Sequence, residues 1–160
     1  MKAPAPREDR KANRRGAARL AAAQVLYQMD IVATPLNDIL AEYERHWIGQ
    51  EVDGSQYLPA EAAFFRSVVQ GVLDDQRRLD PLIDKALQGG WPLKRVEALL
   101  RAVLRAGVFE LSARKDVPAR VVVAEYVDVA HAFLDRDETG MVNAVLDQLA
   151  RQLRADEFPG

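Results

Sequence analysis

Between residues 96 and 111, apolar positions recur in alternating steps of three and one: Val96, Leu99, Leu100, Val103, Leu104, Gly107, Val108 and Leu111. Only a helix gathers such positions onto one face, because its 3.6-residue period returns every third or fourth side chain to the same side. The spacing repeats along the chain. Ala18, Ala22, Val25, Met29 and Val32 form one stripe, and Ala63, Phe64, Val68, Val72 and Leu79 a second. Met141, Val142, Val145, Leu146, Leu149 and Leu153 form a third. Residues 121–129 are rich in valine and could pass for a strand. Their apolar doublets, Val122/Val123, Tyr126/Val127, Val129/Ala130 and Phe133/Leu134, recur every three to four residues, and no partner strand is visible. No segment alternates with period two, so the expected fold class is all-α.

Punctuation sets the expected helix limits. A helix over about 9–30 follows a frayed arm, and Thr34-Pro35 opens a short one to Trp47. Residues 48–58, with Gly49, Asp53-Gly54 and Ser55, read as a loop. Pro59 opens the next helix, which Asp80-Pro81 should break or restart before Ile83 and Leu87. Gly89-Gly90 separates residues 1–88 from 91–160, two helical sub-bundles expected to form one compact unit. Pro92 starts the strongest helix, Val117-Pro118 the next element, and the last helix runs from about 140 to 153. Glycine inside an exposed helix costs roughly 1 kcal/mol against alanine, so Gly107 on an apolar stripe predicts a close helix crossing instead.

Charge is distributed unevenly. The first twenty residues carry seven positive side chains (Lys2, Arg7, Arg10, Lys11, Arg14, Arg15, Arg19) against Glu8 and Asp9. Residues 21–160 hold 15 basic and 22 acidic side chains, a net −7 on a chain whose total is −2. A polyanion would therefore dock at the N-terminal end, where Lys11, Arg15 and Arg19 fall at i, i+4 and i+8 with Arg14 beside them. Two further polar features stand out. Asn143, Asp147 and Arg151 form a ladder opposite the apolar stripe of the last helix. At Glu110-Leu111-Ser112 an apolar helix turns charged, which reads as a solvated helix end.

Chemistry-bearing motifs are few. The chain has no cysteine, which removes disulfides, thiolate metal sites and cysteine nucleophiles. His46 and His131 lie on different helices, with no second histidine at the spacing a zinc site needs. Gly89-Gly90 lacks the lysine and the strand of a phosphate loop, and Asp74/Asp75 and Asp135/Asp137 are the chance pairs of an acidic helical protein. No apolar stretch approaches the roughly 18 residues that cross a bilayer, and no secretory signal precedes the first helix. The expectation is a cytoplasmic binding protein that is not an enzyme, with no metal and no cofactor.

One ordered set of residues adds a family resemblance. Val96-Glu97, Val103-Leu104-Arg105, Phe109-Glu110-Leu111-Ser112, Asp116-Val117-Pro118, Glu125-Tyr126-Val127, Val142-Asn143 and Val145-Leu146-Asp147 closely resemble the NusB family. Arg14-Arg15, Ala18-Arg19, Ala23-Gln24-Val25-Leu26-Tyr27, Phe65-Arg66 and Gly71-Val72 are similar to its earlier portion. The resemblance implies two small helical bundles packed across one another. It further implies a transcription antitermination factor that binds the boxA element of ribosomal RNA leader transcripts. The implied partners are NusE, a small-subunit ribosomal protein, and the RNA polymerase antitermination complex. Carried over by position, it assigns RNA contact to Arg14, Arg15, Arg19, Asn143 and Asp147, and NusE contact to Tyr27 and Glu110. Gly16 and Ala17 depart from the family's arginine run, Met141 from a common aromatic and Ala144 from a glycine. Two alternatives accompany it: a NusB-like module of a ribosomal RNA cytosine methyltransferase, or a protein-interaction module without RNA binding.

Overall fold

The computed structural model describes residues 7–32, 35–47, 51–52, 55–56, 59–87 and 96–159; for 7–14, 44, 46–47, 51–52, 55–56 and 59–60 it describes the backbone alone. Helix α1 spans Arg7–Ile31, α2 Leu36–Trp47, α3 Pro59–Ala86, α4 Ala98–Ala113, α5 Ala119–Phe133 and α6 Arg136–Leu153. A short 3-10 turn at Ala155–Glu157 follows. Helices α1–α3 pack across α4–α6, and one apolar core runs through both groups.

Helix α4 lies at the centre, touching α1, α3, α5 and α6. Its sequence is apolar almost all round, and Leu100, Val103, Leu104, Val108 and Leu111 are all buried. Such a helix is stable only when neighbours surround it. Two glycines let those neighbours close in. A Cβ built on Gly107 would stand 2.8 Å from Leu146 Cδ1 and 3.4 Å from Tyr126 Cγ, so α4 crosses α5 and α6 tightly there, as its place on the stripe predicts. A Cβ on Gly71 of α3 would fall 2.1 Å from Phe109 Cζ, inside the aromatic ring's contact radius. The alanines of α1 serve the same end: Ala17, Ala18, Ala21, Ala22 and Ala23 are buried where α1 meets α3, α4 and α5.

The valine-rich segment is helical, with Val122, Tyr126 and Val129 turned inward along α5. Four expectations need correction. Pro81 lies inside α3 without ending it. It removes one intrahelical bond, but Leu79 and Ile83 on either side are fully buried. Arg105 of α4 also clamps Asp80, donating through Nε to Oδ1 (2.8 Å) and through Nη2 to Oδ2 (2.9 Å). Second, the loop over 48–58 contains a minimal antiparallel ladder, Glu51 opposite Gln56 and Val52 opposite Ser55. Third, α6 begins at Arg136 rather than near 140. Asp135 caps it, accepting from the Glu138 amide (2.8 Å), while the Glu138 carboxylate accepts from the Asp135 amide (3.4 Å). Fourth, two residues leave the stripes on which they were expected: Val32 lies beyond the end of α1 and is 55% exposed, and Ala63 of α3 faces solvent. The expected arm over residues 1–8 is already helical from Arg7; its residues 1–6, the Gly89-Gly90 division and the helix start at Pro92 lie outside the described residues.

Candidate nucleic-acid interface

Arg15 projects from α1 over the ring of Phe64 on α3, with its guanidinium carbon 4.8 Å from the ring centroid. Arg114, which follows α4, approaches the same ring at 5.0 Å. Arg19 of α1 lies 5.0 Å from the same centroid, so the buried Phe64 ring is a fixed centre on which three guanidinium groups converge. Arg114 is further fixed by a two-pronged pairing with Asp116 (3.0 and 3.0 Å) and by donation to Ser67 Oγ (3.2 Å). Hydrogen bonding from Arg114 holds the Asp116 carboxyl below the usual range. Arg15 is thus placed where α1, α3 and the α4–α5 turn meet. The backbone of Arg14 continues α1; its side chain lies outside the described residues.

Arg19, four residues on, does not continue a solvated basic stripe. It is 2% exposed and bound inside the protein to Glu110, which is fully buried. The pair is bidentate, with Arg19 Nε donating to Glu110 Oε2 (2.8 Å) and Nη2 to Oε1 (3.0 Å). The Tyr126 hydroxyl donates to the same carboxylate, and Glu125 stands 3.6 Å from Arg19 Nη1. Burial and the charge of Glu110 push the Tyr126 hydroxyl well above its ordinary pKa, so it stays a donor. Burial pulls Arg19 down, but its hydrogen bond and charge pairing with Glu110 outweigh that and raise it. Burial raises Glu125, against the pull of Arg19.

This corrects two site assignments together. Glu110 is not a solvated helix end, because α4 runs on to Ala113 and α1, α5 and α6 close around it. Arg19 is not an accessible cation, because the small alanines of α1 bring its neighbours close enough to enclose it. A partner or an RNA strand cannot touch either side chain in this fold. Tyr27, the other residue assigned to a protein partner, is half-buried against the core. It stands eight residues beyond Arg19, about 12 Å along α1. Near it, Leu26, Met29 and Asp30 of α1, Val72, Leu73 and Gln76 of α3 and Arg105 of α4 line a half-open cavity of about 170 Å³.

On α6, Val142, Val145 and Leu146 hold the helix to the core while Asn143 faces solvent. Asp147 is half-exposed and accepts from Arg151 Nε at 3.1 Å, so the ladder forms on the outward face. Such an exposed pair contributes only a few tenths of a kcal/mol, roughly, and can exchange for other partners at little cost.

Arg154 escaped sequence reasoning. It is 1% exposed and donates to the carbonyls of Leu111 (2.6 Å), Val117 (3.0 Å), Arg114 (2.8 Å) and Glu110 (3.2 Å). It also pairs with Glu157 at 2.5 Å, whose other oxygen accepts from the Ala119 amide at 2.9 Å. One arginine therefore satisfies the last carbonyls of α4, and its partner caps the first turn of α5. A signal was present: Arg154 lies four and eight residues beyond Ala150 and Leu146, on the buried stripe. His131 is exposed, and no group of three or more metal-ligating side chains occurs among the described residues. Among the described residues, no helix is long and apolar enough to cross a membrane.

Comparison with known proteins agrees with this architecture. The model of the NusB family matches residues 16–151. The chain is 71% identical over 158 residues to the transcription antitermination protein NusB of Rhodopseudomonas palustris strain HaA2, covering 99% of this chain and 94% of that protein. It is 70% identical over 158 residues to the protein of the same name from Bradyrhizobium sp. strain BTAi1, with the same two coverages. Among solved structures it is similar to T. maritima NusB, with TM-score 0.75 at 26% identity, over 99% of both chains. The fold is also that of a NusB crystallised with NusE and double-stranded RNA, with TM-score 0.71 at 24% identity, over 87% of this chain and 97% of that one.

Proposed function

Because the chain belongs to the NusB family, we propose that it is a transcription antitermination factor which binds boxA RNA together with NusE. The observation that carries this reading is the identity of about 70% maintained over nearly the whole chain with relatives of that name. In this role the protein works in the cytoplasm, within the RNA polymerase antitermination complex. Binding is its whole task, so it is not an enzyme and needs no cofactor.

The work divides among residues by their accessibility. Arg14 and Arg15 attract phosphates, which gives affinity without sequence information. Asn143 and Asp147 supply hydrogen bonds to base edges of an unstacked strand, Asn as donor and acceptor, Asp as acceptor only. Arg19 and Glu110 act from inside, fixing the height of α1 against α4 and α5 so that Arg15 meets Phe64 and Arg114. Tyr27 remains the proposed anchor for NusE, on a protein body of net −7 that attracts a basic ribosomal protein.

Anisotropy titrations with boxA RNA and a scrambled RNA, with and without NusE, test the proposal. Wild type should prefer boxA, and NusE should strengthen the preference. Asp147→Asn removes a negative charge at nearly constant shape. It should raise affinity for both RNAs and shrink their ratio by about fivefold, roughly 1 kcal/mol or one net hydrogen bond. Failure of wild type to bind either RNA, with or without NusE, would leave a protein-interaction module without RNA binding.

A further inference from the structure

Beyond the ladder on α6, the chain gathers two arginines around one aromatic ring. The guanidinium carbon of Arg151 lies 4.8 Å from the centroid of Phe158, and that of Arg120, at the start of α5, lies 5.1 Å from it. Both arginines are exposed, while Phe158 is half-buried. The ring packs against the core. The Phe158 amide donates to the Ala155 carbonyl (3.1 Å), closing the 3-10 turn that Arg154 and Glu157 bolt to α4 and α5. We propose that Arg120, Arg151 and Phe158 form a second single-stranded RNA subsite, which stacks one base and pairs its phosphate beyond the nucleotides read at Asn143 and Asp147.

Three observations carry the assignment, which rests on the RNA-binding reading above. The first is chemical. Planar guanidinium groups and aromatic rings are the surfaces on which unstacked RNA bases lie, and guanidinium also meets phosphate. Folding alone gives little reason to bring two cations to one ring, since an exposed cation–aromatic contact contributes only about 0.5–1 kcal/mol. The second is continuity. Arg151 donates to Asp147, so the cluster begins where the proposed base-reading ladder ends. The third is the approach from the other side. Lys115 donates to the Leu153 carbonyl at 3.5 Å, which places a cation between Arg114 and the C-terminal end of α6. Of the nearby acids, Glu157 is engaged by Arg154 and the Ala119 amide, while Asp156 faces solvent.

The test uses the full chain and two single-stranded RNAs, a boxA core and the same core extended by a few unpaired nucleotides at both ends. Wild type should bind the extended RNA more tightly. Arg120→Ala should weaken the extended RNA by about tenfold, within the range of one stacked base. It should also lower the salt dependence by about 0.7 in the slope of log K against log salt, leaving the core RNA and the melting temperature unchanged. Phe158→Leu, which keeps an apolar side chain against the core, should reproduce the length-dependent loss. Equal affinity of wild type for the two RNAs, or an equal effect of Arg120→Ala on both, would overturn the subsite alone. So would weaker NusE association by Arg120→Ala with both RNAs bound as by wild type, since that marks a protein contact. Failure of wild type to bind the core RNA would overturn the RNA reading itself, and the subsite with it.

Discussion

Glu110→Lys should destabilise the protein by at least about 3–5 kcal/mol, the usual cost of leaving one member of a buried ion pair without its partner. The substitution puts a second cation beside Arg19 in a fully buried position and orphans the Tyr126 hydroxyl. Small domains hold only about 5–15 kcal/mol in total, so much of the fold's margin would be lost. Loss of RNA and NusE binding in this variant would then report unfolding, not a deleted contact. Urea denaturation followed by circular dichroism distinguishes the two. A surface contact would leave the midpoint unchanged and abolish only binding. Glu110→Gln, which keeps the shape and an acceptor for Tyr126, should fall between wild type and Glu110→Lys.

Arg154→Ala should be nearly as damaging, at about 3–5 kcal/mol. The Leu111 and Val117 carbonyls lose their donor, and Glu110 and Arg114 each lose one of two. Each buried polar group left unsatisfied costs about 1–3 kcal/mol. The loss also frees Glu157 and with it the cap on Ala119. Hydrogen exchange should therefore show faster opening at the end of α4 and the start of α5, with α2 and the first half of α3 less affected. Uniform exchange across the protein would mean that Arg154 acts globally rather than at this junction.

Glu110 and Arg154 show where sequence reasoning reaches and where it stops. Apolar periodicity carried the all-α class, the central stripe of α4 and the helical state of the valine-rich α5, because burial follows from spacing alone. It also placed Gly107 at a close crossing, since glycine on a buried stripe has a packing reason. Local backbone cost alone predicts a break at Pro81, because the Arg105–Asp80 clamp comes from another helix. The Asp135 and Glu138 capping box is legible at its three-residue spacing, although the acids around it pass for chance pairs. Arg19 and Glu110 are 91 residues apart, and nothing in either local stretch reveals that each is the other's partner. A charge on an otherwise apolar helix was visible at Glu110; that it pointed inward was not. The Asp147–Arg151 pair forms at the spacing the sequence shows, because both residues lie on one helix.

Arg14 and Arg15 are the proposed RNA-facing cations of α1, while Arg19 is bound in the interior. The slope of log K against log salt for boxA RNA, measured for wild type and for the Arg14→Ala/Arg15→Ala double variant, tests this most directly. At roughly 0.7 per phosphate contact on a single strand, the double variant should lower the slope by about 1.4 with its melting temperature unchanged. An unchanged slope in a fully folded double variant would contradict the account.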